Sequence, residues 1–477
     1  MILNGGYRSF DAEREVPRLK DRRITRLATL LLVLLNVGLF AFVWLSYYNS
    51  YAFRAHRPEG AVGAIAVYYI IYRWLSKLYR GYAIASSSIE ETVLSQFISF
   101  GIADLALYIA SILLRRYYVS VLPGAVTVAM QLAGSTLIIW LMKRYMLRHI
   151  KPSPTLLVYG GAVDREQAQR FIGRLTQKYA HLFSVERVVS ERDTEQVLSG
   201  IEACDATIFM EIDLRHRAAY MEQCLEHRKV FFFVPEFADI ICRGCTVKNF
   251  LDTPLMRYDY SYEKRRSYVV KRACDIVFSL LFLILLSPVM LAAAIAVHLE
   301  DGGPVFYRQE RVTLGGRTFS IWKFRSMVVD AERFGAVPAT ENDPRITRVG
   351  RLLRKTRIDE LPQVINILLG HMSFVGPRPE RILHVALYEQ QVPEFKYRLR
   401  VKGGLTGYAQ VYGKYNTSPE DKLKLDMLYI ENQSLLLDFK LVMLTIKIMF
   451  RPESTEGFDE ARSEHINRQD REGNEDA

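Results

Sequence analysis

Residues 276–297 read IVFSLLFLILLSPVMLAAAIAV, an apolar run without a single charge. It is long enough for the ~20 residues that a helix needs to cross a bilayer. Its flanks oppose a crossing. Lys271 and Arg272 precede the run, and Arg308, Arg311, Arg317, Lys323 and Arg325 follow it. A crossing would put one basic group outside, against the preference of Lys and Arg for the cytoplasmic side. Ser287-Pro288 stands at the midpoint. Proline removes a backbone donor and bends a helix, and a neighbouring serine hydroxyl can take up the freed carbonyl. The run is therefore expected as a bent, re-entrant helix over 273–299 that enters and leaves by one face. A kinked crossing helix is the alternative.

Upstream, four more apolar segments lie at about 27–48, 61–78, 92–114 and 121–142. The first follows 26 mostly polar residues and is too long for a signal peptide. Arg18, Lys20, Arg22, Arg23 and Arg26 precede it; Lys77 and Arg80 lie between the second and third; Lys143, Arg144, Arg148 and Lys151 follow the fourth. These flanks predict a cytoplasmic segment over 1–26 and four transmembrane helices over 27–150 with both ends inside. Arg115 and Arg116 argue mildly the other way. Arg73 and Asp104 fall near span ends or within spans, where a helix–helix contact and a functional group are both open readings. The formal net charge of +11 suits an anionic partner, and blocks of membrane length make that partner lipid rather than nucleic acid. Five scattered cysteines, an odd number, argue for a reducing compartment. Cys242-Arg-Gly-Cys245 lacks the second pair that a closed zinc site needs.

Pro152 and Pro154 mark a linker, after which short apolar strands alternate with helical stretches. TLLVYG (155–160), FSVERVV (183–189), DATIFME (205–211) and KVFFFVPE (229–236) are separated by helices from Asp164, near 194–201 and over 214–227. This pattern predicts a Rossmann-like parallel α/β domain over 152–260. Its first turn, Gly160-Gly161-Ala162, is not GxGxxG, so the domain lacks a dinucleotide fingerprint. Tyr260 and Lys264 have the spacing of a reductase YxxxK, read as chance without that fingerprint. A spacer and a ligand sensor are the two roles left open.

Beyond the apolar run, GPVFYRQER (303–311) and RTFSIWKFRSM (317–327), joined across Gly315-Gly316, predict a β-hairpin. Its second arm ends in the candidate substrate-binding residues Lys323 and Arg325. DPRITRVGRLLRKTR (343–357) has helical periodicity and a strongly basic face suited to an anionic membrane surface. RIDELPQ (357–363) follows, with Asp359 at an expected helix N-cap and Pro362 in the first turn of a helix to Gly370. Capping and catalysis are both open for the Asp359-Glu360 pair. Arg354 upstream and Gly376-Pro377-Arg378-Pro379 downstream surround it with fixed positive groups. A carboxylate that attacks phosphate must overcome charge repulsion, which arginines and a divalent cation can relieve. Asp359 could serve as nucleophile and Glu360 as metal ligand. No Ser/His/Asp triad, P-loop or HExxH competes.

VKRACDIVFSLLFLILLSPVM, GPVFYRQERVTLGGRTFSIWKFRSM, DPRITRVGRLLRKTRIDELPQVINILLGHMSFVGPRPE and VKGGLTGYAQVYG together resemble the bacterial sugar transferases, the monotopic polyprenyl-phosphate glycosyl-1-phosphate transferases. The resemblance covers about 267–450, and the four spans and middle domain are similar to the large form. It implies a catalytic domain on the cytoplasmic face of the bacterial inner membrane. There Asp359 displaces UMP from a UDP-sugar, and undecaprenyl phosphate then takes the phosphosugar, the first membrane step of exopolysaccharide, capsule or O-antigen synthesis. It further implies that Glu360 binds Mg²⁺, that Arg354 and Arg378 hold phosphates, and that Ser287-Pro288 shapes the re-entrant helix. Gly403 and Tyr408 stand where the family usually has Pro and Trp, which bears on sugar or nucleotide selectivity. Two other readings stay open: a membrane-tethered nucleotide-sugar dehydratase, and a non-catalytic regulator of polysaccharide export. Oligomeric state is open, a homodimer included. The segment 431–450 is expected as a helix on the membrane or a partner, and 451–477 as a disordered tail.

Overall fold

The computed structural model describes residues 19–48, 58–115, 118–149, 151–161, 163–259, 264–331, 343–413 and 417–449. The expected tail at 451–477, the start of the N-terminal segment and Tyr260 lie outside them. The chain divides into two compact units, Met1–Val234 and Pro235–Ala477.

The first unit opens with four helices: α1 (Leu19–Val43), α2 (Pro58–Leu78), α3 (Ile89–Arg115) and α4 (Leu122–His149). Among the described residues the helices long and apolar enough to cross a membrane are Arg23–Tyr48, Ile89–Leu113 and Leu122–His149 here, with Tyr268–Asp301 in the second unit. The protein is thus a membrane protein. The second expected span does form a helix, α2, but its tyrosines together with Arg73 and Lys77 keep its composition outside that set. Many apolar side chains of these helices point outward, among them Leu34, Ile70, Leu105 and Leu137. The interior is aromatic and polar: Phe40 stacks on Tyr68 at 3.9 Å, and Tyr72 and Phe100 are fully buried beside them. Near one end of α4, Lys143 donates to the carbonyls of Ile84, Ala85 and Ser87, each at 3.0 Å.

The same unit continues as a parallel sheet of order β2-β1-β3-β4, with β1 (Ser153–Tyr159), β2 (Phe183–Ser190), β3 (Ala206–Met210) and β4 (Val230–Phe233). Helices α5 (Arg165–Tyr179), α6 (Thr194–Ala203) and α7 (Leu214–Glu226) make the crossovers. Each begins on an aspartate whose carboxylate takes a first-turn N–H: Asp164, Asp193 and Asp213. Leu156, Val158, Val197, Ile201 and Phe209 fill the core. At the end of β1, where a cofactor phosphate sits in dinucleotide folds, the side chain of Glu191 occupies the space a Gly160 Cβ would need. Its two oxygens accept from Gly161 N at 3.1 Å and Asp213 N at 2.8 Å.

The sequence reading closed this domain at residue 260, but residues 235–259 belong to the second unit. Helix α8 (Phe237–Arg243) buries Ile240 among Val375, Phe395, Leu423 and Met427. The strands β5 (Thr246–Phe250) and β6 (Thr253–Arg257) pair only with each other. An apolar side chain follows the core that can bury it, and among the described residues no strand after β4 extends the parallel sheet.

Helix α9 (Lys264–Asp301) is continuous through Pro288. Ser287 Oγ donates to Ile284 O at 2.8 Å, the carbonyl that the missing proline N–H leaves free. The middle of α9 is exposed, as at Val277, Ile284, Leu285 and Leu291. Polar bonds hold its start: Lys271 pairs with Asp438 (2.6 Å), Arg272 donates to Ile367 O and Leu368 O, and Asp275 accepts from Ser373 Oγ and Phe374 N. Its end is held too, with Asp301 paired to Arg325 and Glu300 accepting from Val349 N.

The expected hairpin is present as β7 (Phe306–Val312) and β8 (Thr318–Phe324), turned through Gly315 and Gly316, both at positive φ. Helix α10 (Arg348–Thr356) starts five residues later than periodicity predicted. Asp343 there takes the backbone N–H and guanidinium of Arg345, and Ile346 bridges to Met327, so the segment makes a turn before Thr347 caps the helix. The remaining elements are α11 (Gln363–Leu369), β9 (Ser373–Val375), α12 (Ile382–Gln391), β10 (Gly404–Thr406), α13 (Tyr408–Tyr412), α14 (Pro419–Glu431) and α15 (Leu435–Met449). β9 and β10 pair in parallel.

Candidate active site

Helix α10 ends at Arg357, a non-glycine residue at φ 58°. Such a backbone costs on the order of 1–2 kcal/mol. It turns the chain into one 3₁₀ turn, Ile358–Glu360, that presents the carboxylate pair. The expected N-cap is therefore overturned: Asp359 lies inside this turn, and α11 begins after Pro362 with no side-chain cap. An Asp, a Glu and a Pro favour a 3₁₀ turn as readily as a first helical turn, so the sequence could not separate the two. Helix α11 stops at Gly370 as predicted. Asn366 pins α11 to the hairpin, taking Trp322 N at 2.9 Å and donating to Ser320 O at 2.8 Å. That contact sets the carboxylate turn beside Lys323 on β8.

Glu360 Oε1 accepts from Lys323 Nζ at 2.9 Å and from Arg378 Nη2 at 3.1 Å. Burial alone would raise the Glu360 carboxyl, but the charges of Lys323, Arg378 and Arg357 outweigh it and hold the group far below the usual carboxylate range. Asp359 is 8% exposed, and its Oδ1 is buried without a hydrogen-bond partner. Burial lifts its carboxyl and the Glu360 charge adds to that, against the pull of Lys323, Arg354 and Arg357; the net direction is upward. The pair is thus differentiated: a firmly ionised Glu360 held by two cations, and an Asp359 with a bare oxygen and a raised proton affinity.

The other expected site residues divide. Lys323 and Arg378 meet on Glu360, and Arg354 acts on Asp359 through its charge. Arg325 does not join them. It is nearly buried and bonds Asp301 and Pro304 O, locking the end of α9 to the hairpin. Lys323 and Arg325 share a face only while the chain is extended, and β8 ends at Phe324. Ser287 and Pro288 lie on α9, as expected.

A supporting layer carried no sequence signal beyond its charges. Arg398 pairs with Asp426, both almost fully buried, and donates to Arg378 O at 2.8 Å. Arg311 donates to Pro379 O, and burial together with the nearby Arg378 charge lowers its guanidinium to about 10. Glu380 bonds Lys422. Burial alone would raise the Glu380 carboxyl, but Lys422, His384 and Arg398 hold it well below its usual range. Gly376–Glu380 is thereby clamped from several sides, which fixes Arg378 against Glu360. Gly403 N donates to Thr313 Oγ1 at 3.1 Å, a donor that the family's usual proline lacks. Tyr408 packs against Tyr412 at 4.6 Å.

For a divalent ion, no group of three or more His, Cys, Asp or Glu exists among the described residues. Mg²⁺ is ordinarily bound by one or two carboxylates plus substrate phosphates. Asp359 and Glu360, with one oxygen bare, fit that shared mode and not a dedicated cage.

Residues 266–452 match the family model described as bacterial sugar transferase. The chain is 45% identical over 181 residues to a UDP-N-acetylgalactosamine-undecaprenyl-phosphate N-acetylgalactosaminephosphotransferase of Aeromonas hydrophila, covering 37% of this chain and 43% of that one. It is 41% identical over 208 residues to a UDP-glucose:undecaprenyl-phosphate glucose-1-phosphate transferase of Escherichia coli (strain K12), 43% of each. These two matches span less than half of the relatives' length. The exopolysaccharide production protein PSS of Rhizobium leguminosarum bv. phaseoli is 40% identical over 189 residues, 37% of this chain and 94% of that protein. With nearly all of that smaller relative covered, the chain belongs to the bacterial sugar transferase family.

Proposed function

We infer that the protein transfers a sugar 1-phosphate from a UDP-sugar to undecaprenyl phosphate, as the names of its relatives in Aeromonas and Escherichia describe for those proteins. The observation that carries this is the differentiated carboxylate pair, with Asp359 Oδ1 bare and Glu360 bound by Lys323 and Arg378. Asp359 attacks the phosphorus that bears the sugar. An Asp359 O–P bond forms, the P–O bond to the α-phosphate breaks, and UMP leaves with the bonding pair. A phosphate oxygen of undecaprenyl phosphate then attacks the same phosphorus, releasing the Asp359 carboxylate and forming undecaprenyl-diphosphate-sugar. Splitting the transfer lets a soluble donor and a bilayer acceptor use one site in turn. Lys323, Arg354 and Arg378 offset the negative charge that gathers as carboxylate meets phosphate. Mg²⁺ held by Glu360 would neutralise the donor diphosphate.

The finer readings belong here too. Both ends of α9 bond to the same catalytic unit while its middle stays exposed and apolar, which supports a re-entrant helix. The basic flanks support a catalytic unit on the cytoplasmic face of the inner membrane, and the parallel sheet supports a Rossmann-like domain. The Rhizobium relative's name supports a role in exopolysaccharide production. The relatives' names include both glucose and N-acetylgalactosamine donors, so the sugar is a matter for assay. Asp359→Asn is expected to bring UMP release from UDP-sugars to background, and the wild type should carry a phosphosugar adduct on Asp359 by mass spectrometry. Retained turnover in the variant would sink the mechanism.

A further inference from the structure

The membrane bundle encloses a polar cluster to which all four helices contribute. Asn36 on α1 is fully buried, and its amide nitrogen donates to Leu32 O (2.8 Å), to Tyr72 OH on α2 (3.1 Å) and to Ser135 Oγ on α4 (3.1 Å). Gln131 on α4 is also fully buried and donates to Asn36 O (3.2 Å) and Tyr68 OH (2.9 Å). Asp104 on α3 stands beside Gln131 and Tyr68.

Three oxygens here are buried without a partner: Asn36 Oδ1, Gln131 Oε1 and Asp104 Oδ2. All three are acceptors, and the Tyr68 hydroxyl beside Asp104 can give a proton to at most one of them. Turning either amide over does not cure this. It would set Asn36 Oδ1 against Leu32 O, or Gln131 Oε1 against Asn36 O. Nor, among the described residues, does a cation pair with Asp104. Of the basic residues on α2, Arg73 is exposed and lies over the Tyr82 ring, and Lys77 is exposed in the last turn. In hydrocarbon an unsatisfied polar group is costly, and a bare carboxylate more so. Water would bring donors but no charge.

We propose that the bundle binds one monovalent metal cation, Na⁺ or K⁺, between Asp104, Gln131 Oε1 and Asn36 Oδ1. Oxygen donors suit a hard cation, and a single carboxylate among neutral carbonyls matches one positive charge better than two. The site is separate from the sugar-transferase unit, so it stands or falls independently of the proposed reaction.

The test uses the full-length protein in nanodiscs at constant ionic strength, comparing NaCl, KCl and N-methylglucamine chloride. The thermal midpoint should rise by a few degrees in one or both metal salts, saturating with concentration. Asp104→Asn should lose that difference while keeping a midpoint near the wild-type value in N-methylglucamine. Equilibrium dialysis of the wild type with radioactive Na⁺ and Rb⁺, the latter standing for K⁺, should find one bound equivalent. This reading does not depend on how the variant folds. Equal midpoints in all three salts, a midpoint that follows pH alone as a protonated Asp104 would give, an unchanged ion effect in Asp104→Asn, or no bound ion would each overturn the proposal.

Discussion

Lys323 is where one side chain governs two others. It opposes burial at Asp359 and holds Glu360 ionised. The attacking species is the Asp359 carboxylate, so activity should fall as pH drops through its raised pKa. Lys323→Met removes a charge that pulls this pKa down, so the acid limb of the kcat/KM–pH profile should move to higher pH; Lys323→Arg should leave it near the wild-type position. An acid limb that stays in place in the methionine variant would contradict that account. Much of this was legible beforehand: the carboxylate pair, Lys323, Arg354 and Arg378 are all visible as charges around RIDELPQ. What the sequence hid is the division among them. Lys323 and Arg325 look equivalent two residues apart, until the strand ends between them and Arg325 turns to Asp301.

At the scale of elements, the site depends on how the segment Gly376–Glu380 and helix α10 are seated. Lys422→Met would leave the Glu380 carboxylate buried without its nearest cation, a change that typically destabilises by about 3–5 kcal/mol. The sign with pH follows from the depressed carboxyl. In the wild type its stabilising contribution is present above the unfolded pKa and is lost as pH falls through the folded one. Thermal melts should therefore show a large deficit for Lys422→Met at pH 7 that narrows on acidification, where protonation removes the stranded charge. Helix α10 crosses close to the chain at Ser326, and a Cβ on Gly350 would collide with the Ser326 carbonyl. Gly350→Ala should lower the melting temperature and, by displacing Arg354 and Arg357, lower transfer as well; a variant with wild-type melting and turnover would refute the tight seating. Helix periodicity found α10 and α11 but misplaced their starts. Thr347 and the 3₁₀ turn at Asp359 depend on tertiary bonds from Met327, Arg345 and the left-handed Arg357, none of which a local pattern records.

For the whole molecule, the apolar run that began the reading is one continuous helix anchored at both ends to a single catalytic unit. In sealed inside-out vesicles of a cysteine-free background, cysteines placed at Lys264 and at Asp301 should both react with an impermeant maleimide from the cytoplasmic side. Protection of one of the two would make α9 a crossing helix. The two-unit division was half legible: alternating strands marked the α/β sheet, but nothing local in 235–259 tells that Ile240 is buried among the catalytic core. The sheet itself holds a last consequence. Glu191 offers its carboxylate to the backbone amides of Gly161 and Asp213, the donors that a nucleotide phosphate would seek at that edge. Any anion arriving at that edge would find both amides already taken by one of the domain's own side chains.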